Sequence, residues 1–292
     1  MALDRGTLLR GRTLAAVLAL AVLPACAHKQ LDLESLASAS DEVVWEAGQK
    51  ATSKKDWESA RQYYKRLIDA FPQSNHQPDA RIALADTYYE EGGTGNYVLA
   101  VSAYREFLTL YPQHPRSDYA QYRAGESYFK QKNSSDRDQT ATKQALEEYE
   151  RLLDIYPQSS HVEEARDRIR TCRQTLAHAH HQVGFFYQKT RKSWRSAIAR
   201  YETILNDYPD YEKLDEVLFR ISQCLSFAGR YAEARPYLAR LRSEFPKSPF
   251  LADGDKLEAT FPASAPAAPP AAATPPTDKP ADKPPATSPP NH

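Results

Sequence analysis

The chain writes one helix five times and closes every copy with an aromatic-proline pair. The copies run Trp57 to Pro72, Tyr97 to Pro112, Thr142 to Pro157, Trp194 to Pro209 and Tyr231 to Pro246. Each carries a small, a large, an apolar and an aromatic residue at the same offsets. These are Ala60, Tyr64, Leu67 and Phe71; Ala100, Tyr104, Phe107 and Tyr111; Ala145, Tyr149, Leu152 and Tyr156; Ala197, Tyr201, Ile204 and Tyr208; Ala234, Leu238, Leu241 and Phe245. Spacing of three and four residues puts all four on one helical stripe, and a stripe of one fixed shape packs against copies of itself. Such a chain stacks as a solenoid, an architecture that serves binding more readily than catalysis.

A second helix precedes each copy. It is marked by a small residue followed three positions on by a larger one: Gly48 and Ala51, Ala85 and Tyr88, Gly125 and Tyr128, Gly184 and Tyr187, Ser222 and Leu225. The small residue lets the two helices of a hairpin approach closely. Together with the second-helix Ala and the closing Pro, this resembles the tetratricopeptide repeat. The expected fold is all-α, a right-handed tetratricopeptide-like solenoid of five helix pairs over residues 41–252. The long interval before Trp194 predicts an extended helix, because Val162 to Gln182 contains no Pro or Gly. Asn96, after Gly92-Gly93-Thr94-Gly95, reads as the N-cap of the following helix, and Pro236 as a bend in the last one.

The ends differ from the body. Residues 1–25 read as an export signal: Arg5, Arg10 and Arg12 precede an apolar run from Leu14 to Leu23, too short to span a bilayer permanently. Leu23-Pro24-Ala25-Cys26 resembles a lipoprotein processing site, with Pro24 an unusual occupant, and acylation of Cys26 with several chains, palmitate among them, gives stable anchoring; the alternative is an ordinary small-x-small cleavage site at Ala25-Cys26-Ala27. Residues 26–40 then serve as a tether. From 253 to 292 Ala, Pro, Thr and Lys dominate, with eleven of the 21 prolines, so this tail is expected to be disordered. Only Leu257 and Phe261 there offer apolar anchors.

The chemistry of most enzymes is missing. No phosphate-cradling glycine loop, nucleophile elbow or zinc-protease helix occurs, so no catalytic residue, metal or cofactor is expected. His178 and His181 lie one turn apart, two of the three or four ligands a zinc site needs, without a third nearby; a polar groove lining is the simpler reading. Lys plus Arg equals Asp plus Glu at 38 each, so no overall field draws nucleic acid. Cys172 and Cys224 are either small core residues or a disulfide pair. In a tetratricopeptide hairpin, the groove positions lie three before and four after the small residue. They give Trp45, Ile82, Tyr89, Tyr122 and Phe129, with Tyr119 one turn earlier, and then His181, Gln188, Phe219 and Ser226. The groove therefore reads as aromatic in the first three pairs and more polar beyond.

A more specific resemblance rests on the lipoprotein signal, the five pairs, Ser135-Asp136-Arg137-Asp138-Gln139, Val183-Gly184-Phe185-Phe186-Tyr187 and Tyr208-Pro209-Asp210. Over about Val43 to Phe250 the chain is similar to the BamD family, lipoproteins of the outer-membrane β-barrel assembly machinery. The resemblance implies a non-enzymatic scaffold on the periplasmic face of the outer membrane. Its early repeats would bind the targeting segment of unfolded outer-membrane proteins, with Trp45, Ile82, Tyr89, Tyr119, Tyr122 and Phe129 in the groove. Its later repeats, through Arg195 and Arg200, would hold a BamA-like barrel-forming insertase. Asp136, Arg137 and Asp138 form a loop motif whose carboxylates are expected to fasten the loop. The alternative is a periplasmic repeat protein that coordinates envelope constriction or cell-wall synthesis, of the Tol-Pal type. That class usually carries an amino-terminal coiled coil, and no heptad run precedes Asp41.

Overall fold

The computed structural model describes residues 39–262 of the 292-residue chain. Helix α1 (Asp41–Ser53) pairs with α2 (Trp57–Ala70), α3 (Gln77–Glu91) with α4 (Thr94–Leu110), and α5 (Ser117–Lys130) with α6 (Thr140–Ile155). Helix α7 (Val162–Phe186) runs into a π-helical turn, Tyr187–Arg191, and pairs with α8 (Trp194–Asp207). The fifth pair is α9 (Leu214–Phe227) with α10 (Tyr231–Glu244), closed by α11 (Leu251–Ala259). Among the described residues all regular structure is helical, and packing runs between sequence neighbours, as an all-α solenoid of five hairpins requires.

The repeated stripe is the core. Ala60, Tyr64 and Leu67 are buried, as are their counterparts through Ala234, Leu238 and Leu241. Each fully buried Leu or Ile contributes about 1.5–3 kcal/mol relative to an exposed one. The closing aromatic explains itself geometrically. Phe71, Tyr111, Tyr156, Tyr208 and Phe245 all leave the helix at φ between −124° and −132° and ψ between 57° and 64°. The following Pro disfavours the α region for the residue before it, so the helix stops there every time.

Small residues meet the stripe's tyrosines. A Cβ built on Gly48, Gly125 or Gly184 would sit 2.6–2.7 Å from the Cε1 of Tyr64, Tyr149 or Tyr201. In the fifth pair the tyrosine is Leu238 instead, and Ser222 fits, its hydroxyl donating to the Leu218 carbonyl at 2.9 Å. The 25 residues of α7 serve two repeats: Cys172 lies in the core of the third pair and Ala177 in that of the fourth. Both cysteines are buried and free, in separate clusters, so the core reading holds.

Some expectations need correction. Asn96 does not cap α4. The helix starts at Thr94 after Gly92 and Gly93, whose φ values of 75° and 89° suit glycine, and the Asn96 amide donates back to the Gly92 carbonyl at 2.8 Å. The boundary expected at 252 falls inside α11. Leu257 packs against the last pair, and Phe261 is buried 5.2 Å from the Tyr231 ring, so two apolar anchors carry the fold to the end of the described residues. Pro236 lies inside α10, as expected. Residues 1–38, with the export signal, Cys26 and most of the tether, and the tail beyond 262 lie outside the described residues.

Candidate binding face

The first helices of the pairs carry the candidate residues, and the structure separates them into two sets. Those three before the small residue are spent on packing between repeats. Trp45 stacks on His76 (5.1 Å, 11°), Tyr122 on His161 (4.6 Å, 7°) and Phe219 on Phe250 (5.5 Å, 19°). In each case the partner is the N-cap residue of the helix two along, which follows the pair. Ile82 is wholly buried among Ala100, Phe107 and Ala120 and offers no surface, so it is removed from the groove. The reason is the stacking itself: each pair must bury its upper end under the next.

Tyr89, Tyr119 and Phe129 remain half-buried at the face, but not as bare rings. The Arg123 guanidinium lies 3.5 Å above the Tyr89 ring centroid, and Arg168 lies 4.6 Å above that of Phe129. Tyr119 donates to Asp86 at 2.9 Å beneath Arg116 and Arg123. Each arginine is held by a carboxylate, Arg123 by Glu90 at 2.6 Å and Arg168 by Glu126 at 2.6 Å. The carboxylates are held in turn by the core tyrosines: Tyr104 donates to Asp86, and Tyr149 to Glu126 at 2.6 Å. Burial raises the Asp86 carboxyl above its ordinary value despite those donors. The face is therefore a ladder of tyrosine, carboxylate, arginine and aromatic ring, a surface that meets both apolar and acidic groups. The arginines escaped sequence reading because Arg123 follows Tyr89 by a whole repeat and carries no local mark.

The loop before α6 is fastened as expected. Ser134 donates to Asp136, and Asp138 accepts from the Thr140 hydroxyl at 2.9 Å and its amide at 3.3 Å. The Asp136 carboxyl sits below its ordinary value, chiefly through the Ser134 hydroxyl. Arg137 is exposed, and Arg195 and Arg200 are exposed on α8, neither of the latter paired with a carboxylate among the described residues. His178 and His181 both meet the Tyr211 hydroxyl, at 3.0 and 3.4 Å, whereas His180 faces Tyr208 instead. Among the described residues no three metal-binding side chains converge. No described helix is long and apolar enough to cross a membrane.

With this geometry in place, known proteins supply the relationship. A family model described as YfiO, an outer membrane lipoprotein, matches residues 37–225, and a tetratricopeptide-repeat model matches residues 216–248. The chain belongs to the YfiO outer membrane lipoprotein family. It is similar to the outer membrane protein assembly factor BamD of Caulobacter vibrioides, 27% identical over 84% of this chain and 79% of that one. BamD of Neisseria meningitidis serogroup A is 27% identical over 73% of this chain and 82% of its own. BamD of Xylella fastidiosa is 25% identical, over 82% and 84%. The resemblance read from the motifs is thus confirmed at family level, and the tetratricopeptide pairs with it.

Proposed function

We propose that the chain is a lipid-anchored, non-enzymatic scaffold of outer-membrane protein assembly that faces the periplasm. Its relatives are named outer membrane protein assembly factors, which supports the role in assembly. The finer reading is two-ended. The first three pairs receive an extended segment of an unfolded β-barrel protein on Tyr89, Tyr119 and Phe129, with Trp45 and Tyr122 holding the walls. The fourth pair presents Arg195 and Arg200 to a BamA-like insertase. Cys26 carries the anchor.

The single observation that carries this reading is the arginine-over-ring ladder, because rings give contact area at low entropic cost and guanidinium groups add charge and hydrogen-bond donors. Two variant sets test it. Tyr89→Ala with Phe129→Ala is expected to weaken capture of an unfolded barrel protein about tenfold or more and leave the insertase's periplasmic domains bound. Arg195→Glu with Arg200→Glu is expected to do the reverse, since charge reversal at an interface acts on that partner alone. Loss of both partners by either set refutes the division of labour.

A further inference from the structure

Two cavities open between α7 and its neighbours, and they share His178. One, about 450 Å³, lies between α7 and α9 and is lined by Phe185, Phe186, Thr190, Lys213, Glu216 and Arg220 beside the histidines. The other, about 400 Å³, lies between α7 and the loop before α6 and is lined by Lys132, Asn133, Ser134, Ser135, Gln174 and Thr175. A chain of side chains runs between them. Ser135 donates to Gln182 at 3.3 Å, Gln182 meets His178 at 3.3 Å, His178 meets Tyr211 at 3.0 Å, and Tyr211 meets His181 at 3.4 Å. The chain ends unsatisfied. The Nε2 of His181 is buried in the wall of the first cavity without a hydrogen-bond partner, 3.8 Å from Glu216.

We infer that this double cleft is a binding site for a short acidic oligosaccharide. A sugar ring presents a fan of hydroxyl or N-acyl groups at its rim and apolar C–H faces above and below. Amide and hydroxyl side chains, which both donate and accept, match the rim; Asn133, Gln182 and Thr190 supply them, while Gln174 and Thr175 are already bonded within the chain. Exposed rings match the face: Phe185 and Phe186, 40% and 46% exposed, stand out with Phe227 as the exposed aromatics among the described residues, and Arg220 lies 4.8 Å from the Phe185 ring centroid. Charge sets the acidic preference. Arg220 is held by Glu216 at 2.8 Å, which leaves Lys132 and Lys213 as the net charge at the two ends. His181 contributes no charge at neutral pH, because burial holds it near about 4, so its free nitrogen is a neutral contact for a ligand hydroxyl.

The site meets the arginine-over-ring ladder only at its third-pair end, where the Lys132 ammonium lies 5.2 Å from the Phe129 ring centroid. Calorimetric titration of the full chain in mild detergent tests it, with three probes: the cell-wall disaccharide of N-acetylglucosamine and N-acetylmuramic acid, the neutral N-acetylglucosamine disaccharide, and the deacylated core oligosaccharide of lipopolysaccharide. The expected result is that at least one acidic probe binds about tenfold or more tighter than the neutral one. Which acidic probe binds identifies the source. Phe186→Ala, Lys132→Ala and Lys213→Ala, all at the surface, should each weaken that probe several-fold, while Tyr89→Ala leaves it unchanged. Absence of binding by both acidic probes, equal binding of the neutral one, or indifference to the three cleft variants overturns the inference. So does weakening, by the same variants, of an extended peptide but not of a sugar. Capture of barrel substrate, measured in parallel, reads the proposed function independently.

Discussion

At the residue scale, the close approach of glycine to tyrosine sets the spacing of each hairpin. Gly125→Ala places a Cβ 2.7 Å from the Tyr149 ring, where the ring edge is fixed by its hydroxyl bond to Glu126. Overpacking of this kind is expected to cost about 1–3 kcal/mol, read as a lower urea midpoint at unchanged slope. Gly95→Ala is the control: nothing lies within 4 Å of its Cβ, and α4 gains a better helix former. An equal loss in both would contradict the packing argument. Tyr149→Phe removes a donor from a buried carboxylate and is expected to cost about 1.5–3 kcal/mol. The two thiols, pushed up to about 12 by burial, should resist a thiol reagent in the native chain and react on unfolding; rapid native labelling of either would contradict their placement in the core.

At the element scale, α7 couples the third pair to the fourth, and His181 on it gives a pH readout. Burial holds His181 near about 4 against an ordinary 6.5, with His178 on α7 and Arg220 and Lys213 on the α9 side acting the same way and Glu216 opposing. Tyr201 from α8 and Tyr211 also face it. The unfolded chain takes up a proton there below 6.5, while the folded chain does so only near 4. This contribution to stability is therefore whole above 6.5 and is lost as pH falls toward 4, by up to about 1.4 kcal/mol per pH unit. Urea midpoints measured across that window should flatten in His181→Gln, and an unchanged slope would assign the effect elsewhere. The elements themselves were legible in sequence, since Pro, the small residue and the four-residue stripe are local marks. The rest was not, because what stacks on Trp45 or Tyr122, and what covers Tyr89 or Phe129, comes from the next repeat. Ile82 shows the limit: its position in the repeat matches Trp45 and Tyr122, but without a ring to stack it sinks into the core.

At the scale of the whole molecule, nearest-neighbour packing means that stability is shared unevenly, with the ends least supported. Amide exchange should be fastest in α1 and α11 and slowest in α5 to α7, where buried carboxylates tie repeats together; the Glu148 carboxylate, for instance, accepts from Arg105 of α4 and from the Gln121 amide of α5. Uniform exchange along the chain would argue against a solenoid. The proposed division of function follows the same axis: the ring-and-arginine face lies in the early pairs and the exposed Arg195 and Arg200 on α8 in the fourth. The most direct measurement is size-exclusion chromatography with light scattering on the full chain, an unfolded barrel protein and the periplasmic domains of a barrel-forming insertase together. The two-ended scaffold predicts one complex that contains all three. Displacement of one partner by the other, or failure of both to bind, would contradict it.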